Sequence, residues 1–187
     1  MTLKEMKIKV LALIEELNPL SELLTDDPDI SAKINEVINQ IMFEMARFKK
    51  IARYVEIPVT EGELLEFSAI EKVCGNEIYQ IDIVRGVRYV PKANGTILKF
   101  LESGTAEIDC FVYPERITAT TKDKAYEFEL SNDVLEIMPY GIAADLLKSD
   151  VSTDYGKVYD IRYRDMKAEL DPRNHMTSIF IEGGVSV

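Results

Sequence analysis

Cysteine, histidine and long apolar runs are scarce in this chain, and each scarcity removes a class of chemistry. Only two of the 187 residues are cysteine, Cys74 and Cys110. Their spacing fits neither a zinc cluster nor a redox pair, so both read as ordinary reduced thiols. The one histidine, His175, stands in DPRNHM beside Asp171 and Asn174. No nucleophile motif such as GxSxG accompanies it, so it reads as a surface-loop residue and not as half of a catalytic dyad. Phosphate-cradling loops are also lacking: Gly86 and Gly95 stand alone, and Gly183-Gly184 is followed by Val185 where such a loop needs lysine. No apolar run approaches the roughly 20 residues that cross a bilayer. The opening MTLKEMKIKVLALIEEL carries Glu5, Glu15 and Glu16 inside its apolar pattern, which is not the make-up of a secretory signal. The expectations are therefore no catalytic residues, no metal, no cofactor, no membrane and no secretion.

What the chain does have is acid and apolar bulk. Hydrophobic residues make up 47% of it, enough to bury a core without disulfides or metal. The formal net charge is −11, and residues 54–130 supply more than half of the excess, with eight lysines and arginines against fourteen acids. Such a protein does not grip a phosphate backbone by counterion release, although DNA could slide past it. In the acidic run Glu61, Glu63, Glu66 the first two share one side of an extended chain and Glu66 lies on the other, so the run reads as a solvated strand face, not a metal or acid/base site.

Periodicity divides the chain. Leu3, Met6, Val10, Leu13 and Leu17 fall on one helical face, and Asn18-Pro19 ends that helix. A second helix is predicted after DDPD, capped by Asp29, with the stripe Ile34, Val37, Ile38, Ile41, Met45 and Phe48. Lys49, Lys50 and Arg53 gather at its end, as an anion site or, more simply, as cations complementing the helix terminus. From Tyr54 the period becomes 2, with turn signals every eight to twelve residues. Strands are predicted at YVEIPV, LLEFSAI, EIYQIDIV, VRYVP, TILKFL, AEIDCFVY and AYEFEL, with Asn94-Gly95 as a two-residue type I′ hairpin turn. Ser131-Asn132-Asp133 then caps a third helix with the face Leu135, Met138, Ile142 and Leu146, which Pro139 is expected to kink or restart. A fourth helix from near Ser152 presents Tyr155, Tyr159, Tyr163, Met166 and Leu170. This order predicts an α+β fold: a helical bundle built from residues 1–53 and 131–171, an inserted antiparallel β sandwich or barrel-like module at 54–130, and a C-terminal β arm at 172–187.

Two N-terminal helices, then VEIPVTEGELLEFSAIEKVCGNEIYQIDI, a β block, and the helix pair MPYGIAADLLKSDVSTDYGKVYDIRYRDMKAEL resemble tailed-bacteriophage neck proteins of the head-tail connector, adaptor or tail tubular protein A type. The closest local likeness is PYGIAADLLKSD followed by Tyr155, Tyr159 and Tyr163. The resemblance implies a non-enzymatic virion component, made in the cytoplasm of a bacterial host. It would form a ring homo-oligomer beneath the portal protein, contact tail proteins, and help retain or pass DNA without binding it specifically. The β block is larger than in the simpler, mostly helical adaptors, which leaves adaptor, tail tubular component and another part of the neck all open.

Two features point to subunit contacts. Tyr155 and Tyr159 sit on the four-residue repeat of a helix stripe, which reads as buried or interfacial in preference to a stacking ladder for bases or sugars. In the tail, Ile179, Phe180 and Ile181 place large apolar groups on both faces of a short extended run, which suits a strand added to a neighbour's sheet or, equally, to its own β block. The function predicted from another class is a carbohydrate- or peptide-binding module using the β domain.

Overall fold

A computed structural model describes residues 1–149 and 154–170. Among these the fold is mixed α+β, with five helices and two small antiparallel three-stranded sheets.

Helix α1 (Leu3–Leu13) opens with a reciprocal cap: Thr2 Oγ1 accepts from the Glu5 amide at 3.2 Å, and Glu5 Oε2 accepts from the Thr2 amide at 2.8 Å. These bonds hold the Glu5 carboxyl below its ordinary pKa. The helix ends four residues before Leu17. Glu15 turns into the left-handed region (φ 62°), and the Glu16 amide reaches back to the Leu11 carbonyl at 2.9 Å, closing the end before Pro19 is reached. Helix α2 (Pro28–Phe48) is capped by Asp27, not Asp29: Asp27 Oδ1 accepts from the amides of Asp29 and Ile30. Pro28 at the first helical position explains the shift, because no intrahelical amide is lost there.

Strands β1 (Ile51–Val59), β2 (Leu64–Glu66), β3 (Ile78–Arg85), β4 (Tyr89–Lys92), β5 (Ile97–Phe100) and β6 (Gly104–Val112) form the sheets β1-β6-β3 and β2-β5-β4. Neither closes into a barrel among the described residues. Inward side chains of both, including Val55, Leu98, Phe100 and Ile108, share one core. The segment predicted as the strand LLEFSAI is strand only through Glu66. Phe67–Cys74 is a helix, α3, closed by Gly75 at φ 79°, because Phe67, Ile70 and Cys74 also satisfy a helical spacing and Gly75 supplies a left-handed stop. The Asn94-Gly95 hairpin joins β4 to β5 as expected, but through four residues in place of two. Ala93, Asn94 and Gly95 all have positive φ, and Lys92 pairs with Ile97 across the turn.

The predicted strand AYEFEL belongs to neither sheet. It leaves a turn at Ala125 with Tyr126, Phe128 and Leu130 buried, and its partner is the start of the chain, Glu127 forming an isolated antiparallel bridge with Thr2. Leu3 N donates to Tyr126 O at 3.0 Å, Phe128 N donates to Met1 O at 3.2 Å, and Lys7 pairs with Asp123 at 2.9 Å. Alternation specified its buried face and left its partner open.

Helix α4 (Asn132–Leu146) runs through Pro139 without a fresh start, and α5 spans Tyr155–Glu169. Side chains from before and after the strands meet in one core, with Leu3, Met6, Ile38 and Met42 against Leu135 and Met138. The irregular stretch after β6 joins that core as well, through Tyr113, Ile117 and Tyr126.

Candidate functional site

The tyrosines of α5 grade from core to solvent. Tyr163 is buried, its ring laid on Gly141 of α4 and its hydroxyl 3.3 Å from Met45 Sδ. Burial, reinforced by Glu44, pushes its phenol well above the usual range. Tyr159 is half-buried and donates its hydroxyl to the Leu13 carbonyl at 2.6 Å, tying α5 to the end of α1. Tyr155 is 61% exposed. The predicted stripe is thus one face only at its C-terminal end.

Beside it, Val158 and Ile161 are 55% and 60% exposed, and with Tyr155 they make an outward apolar strip at three-residue spacing along the helix. Tyr155 and Tyr159 also wall a cleft of about 390 Å³ between the ends of α1, α2, α4 and α5, floored by Leu13 and Ile30 and rimmed by Glu15 and Asp29.

The Gly141 contact gives a direct test of how α5 is held. A Cβ at position 141 would stand 2.9 Å from Tyr163 Cε2. Gly141→Ala gains about 1 kcal/mol of helix propensity and loses more by overpacking a ring that cannot withdraw. A net loss of about 1 kcal/mol is expected in urea denaturation, and a net gain would mean that α5 does not pack as described.

A second constellation joins α2 to the first sheet. Phe43, Tyr113, Tyr79 and Phe111 follow one another with ring centroids 5.0, 4.8 and 6.4 Å apart. Cations lie over three of them: Arg116 on Phe43 at 5.9 Å, Arg47 on Tyr113 at 5.3 Å and Lys50 on Phe111 at 4.2 Å. Tyr79 donates to the Ala46 carbonyl at 3.0 Å, and Arg47 Nε donates to the Tyr113 hydroxyl. At the α2 end an open groove of about 660 Å³ is lined by Phe43, Phe48 and Tyr113 with Arg47 and Lys167.

The basic cluster predicted as a possible anion site is dispersed. Lys49 pairs with Asp133 at 3.5 Å, Arg53 pairs with Glu129 at 2.6 Å, and Lys50 lies on Phe111. Of the acidic run, Glu63 braces a turn by accepting from the Thr60 amide and hydroxyl, and Glu66 precedes α3. Tyr54, on the outward face of the first sheet, donates to Glu56 at 2.7 Å, and this bond pushes its phenol up to about 12. Both cysteines are free thiols, and burial pushes Cys110 up to about 11.

Among the described residues no three His, Cys, Asp or Glu side chains are grouped to hold a metal ion, and no helix is long and apolar enough to cross a membrane. His175 and the predicted interface residues Ile179, Phe180 and Ile181 lie outside the described residues.

Sequence reasoning did not single out Val158 and Ile161, nor the ring ladder. The exposed pair carried a readable signal, since neither fits the tyrosine face that it flanks. The ladder carried none, because its rings come from α2, β3, β6 and the residue after β6 and meet only in the folded chain. The chain matches no protein-family model and no curated protein.

Proposed function

We propose that this protein is a non-catalytic structural subunit of the ring that joins head to tail in a tailed bacteriophage, working through contacts with its own copies, the portal protein and tail proteins. The observation that carries the reading is the outward strip Tyr155, Val158 and Ile161 on α5. Large apolar groups repeated on a helix whose inner face is already anchored by Tyr159 and Tyr163 suit a surface that another subunit covers.

The chain order supports the same reading. Helices on both sides of the strands share one core, which suits a helical bundle carrying an inserted, sandwich-like β module as a projection toward neighbours. The net charge of −11 suits a channel wall along which DNA passes without being gripped. In this reading the tail residues Ile179, Phe180 and Ile181 add a strand to an adjoining subunit, and the assembled protein resides in the virion.

The test is co-expression with the portal protein of the same genome, followed by affinity purification and negative-stain imaging. A stacked ring containing both proteins is expected, with Val158→Asp/Ile161→Asp reducing its recovery at least about tenfold. A protein that never joins the portal, or whose recovery ignores that double substitution, would sink the reading.

A further inference from the structure

The connection between α1 and α2 holds two leucines in water. Leu20 is 97% exposed and Leu23 65% exposed. A floppy loop could hide them, but this one is braced from within. Asn18 N donates to Leu24 O at 2.8 Å, Asn18 Nδ2 to Asp26 Oδ2 at 2.6 Å, and Ser21 Oγ to Thr25 O at 3.2 Å. The Leu20 amide is taken by Asn18 Oδ1 and the Leu23 amide by Ser21 Oγ. Leu24 and Thr25 are tucked inside at 7% and 3% exposure, so the tip is anchored directly beneath the leucines. A compact, self-bonded loop that keeps apolar side chains outward has prepaid the ordering that binding otherwise costs.

The cation–aromatic groove complements this tip. Phe43, Phe48 and Tyr113 line it with apolar surface, and beside Gln40 its two cations, Arg47 and Lys167, outnumber its one acid, Glu44. Between the leucines stands Glu22, exposed, with Asp26 just beyond. Lys167 pairs with Glu44, but Arg47 has no carboxylate in ion-pair range among the described residues, its Nε being given to Tyr113. The other cleft near α5 is a poorer receptor, because Glu15, Glu16, Asp27 and Asp29 outweigh its single cation, Lys33, and would repel Glu22.

The tip cannot reach the groove of its own chain. It is fixed at Asp27, the start of α2, whereas the groove begins at Gln40, thirteen residues along, or about 20 Å at about 1.5 Å per residue.

We propose that Leu20 and Leu23 of one copy seat in the Phe43–Phe48–Tyr113 groove of the next, with Glu22 against Arg47. Because tip and groove are different surfaces at opposite ends of one rigid helix, the contact is head-to-tail, the kind that generates a ring when its rotation closes. The inference rests on the homo-oligomeric part of the proposed function.

Mixing mutants tests it on the full chain. Sedimentation velocity from about 10 µM to about 1 mM covers the range of a modest interface. The unaltered protein should self-associate, and Leu20→Asp/Leu23→Asp or Arg47→Glu alone should each weaken association at least about thirtyfold. An equimolar mixture of the two should form a dimer and stop there, since it offers one working tip and one working groove. That outcome also shows that both variants fold.

A monomeric unaltered protein at every concentration overturns the contact, whether the tail of its own chain or another protein fills the groove. So does a mixture that stays monomeric beside an associating parent. If Leu20→Asp/Leu23→Asp still enters portal-bound rings at full yield, this contact is wrong and the ring reading stands.

Discussion

Replacing Asn39 with alanine is expected to cost about 3 kcal/mol. Asn39 is 1% exposed on α2. Its Nδ2 donates to the Ile117 carbonyl at 2.8 Å, and its Oδ1 accepts from the Ile117 amide at 2.9 Å. One amide thus satisfies both backbone groups of a residue that has no sheet partner, in the irregular stretch that follows β6. Removing it strands a donor and an acceptor away from water, at about 1–3 kcal/mol each, less whatever water recovers. Urea denaturation should show the loss, and thermal melting should shift by roughly 10 °C.

Asn39→Asp provides a sharper version. At neutral pH a buried carboxylate cannot donate to the Ile117 carbonyl and is itself desolvated, so its folded pKa should lie above its unfolded one. The stabilising form is then the protonated acid, which can both donate and accept. Its contribution is complete below the unfolded pKa and lost as pH rises through the folded pKa. The stability gap to the parent should therefore narrow on acidification. A gap constant with pH would mean that the side chain does not face Ile117.

The second large effect is expected from Gly86→Ala, at about 3–4 kcal/mol. Gly86 lies between β3 and β4, where the chain leaves the first sheet for the second, at φ 82°. A side chain there meets two separate penalties. The left-handed backbone costs about 1–2 kcal/mol for an L residue, and the added Cβ would sit 2.4 Å from the Thr105 carbonyl oxygen. Thr105 is held in register by Pro58 across β1–β6, so the obstruction is backbone that cannot rotate aside.

The damage should be local to the β core, and Cys110 reports it. That thiol is 0% exposed, and its pKa is pushed up to about 11 by burial, so in the parent it stays protonated and shielded at neutral pH. In the variant it should react with a soluble disulfide reagent far sooner. An unchanged urea midpoint together with an unreactive Cys110 would contradict the described approach of Gly86 to β6.

Local pattern carried much of this fold, and its failures are instructive. The apolar stripes of α1, α2 and α4 are buried largely where spacing placed them, because a 3.6-residue repeat names its own face. Six of seven predicted strands contain strand, yet LLEFSAI turns helical after Glu66 because its apolar positions suit both periods. AYEFEL has a strand's alternation without a sheet, since alternation specifies a buried side and not who lies across from it. The Lys49–Lys50–Arg53 cluster is compact only along the chain. In space each cation faces a different partner, Asp133, Phe111 and Glu129.

Composition and short-range spacing decided the acidity of this protein, the existence of its main helices and most strands, and the left-handed stops at Gly75 and Gly95, because charge, helical period and backbone sterics act within a few residues. Folding in three dimensions decided which segments became neighbours. The chain start pairs with residues 126–128, Ile117 hangs from Asn39, and a ladder of rings from α2, β3, β6 and the residue after β6 ends in a groove whose floor no short stretch contains. Those pairings are settled by burial of apolar area and by the need to satisfy every buried backbone group, and both are properties of the whole packed chain.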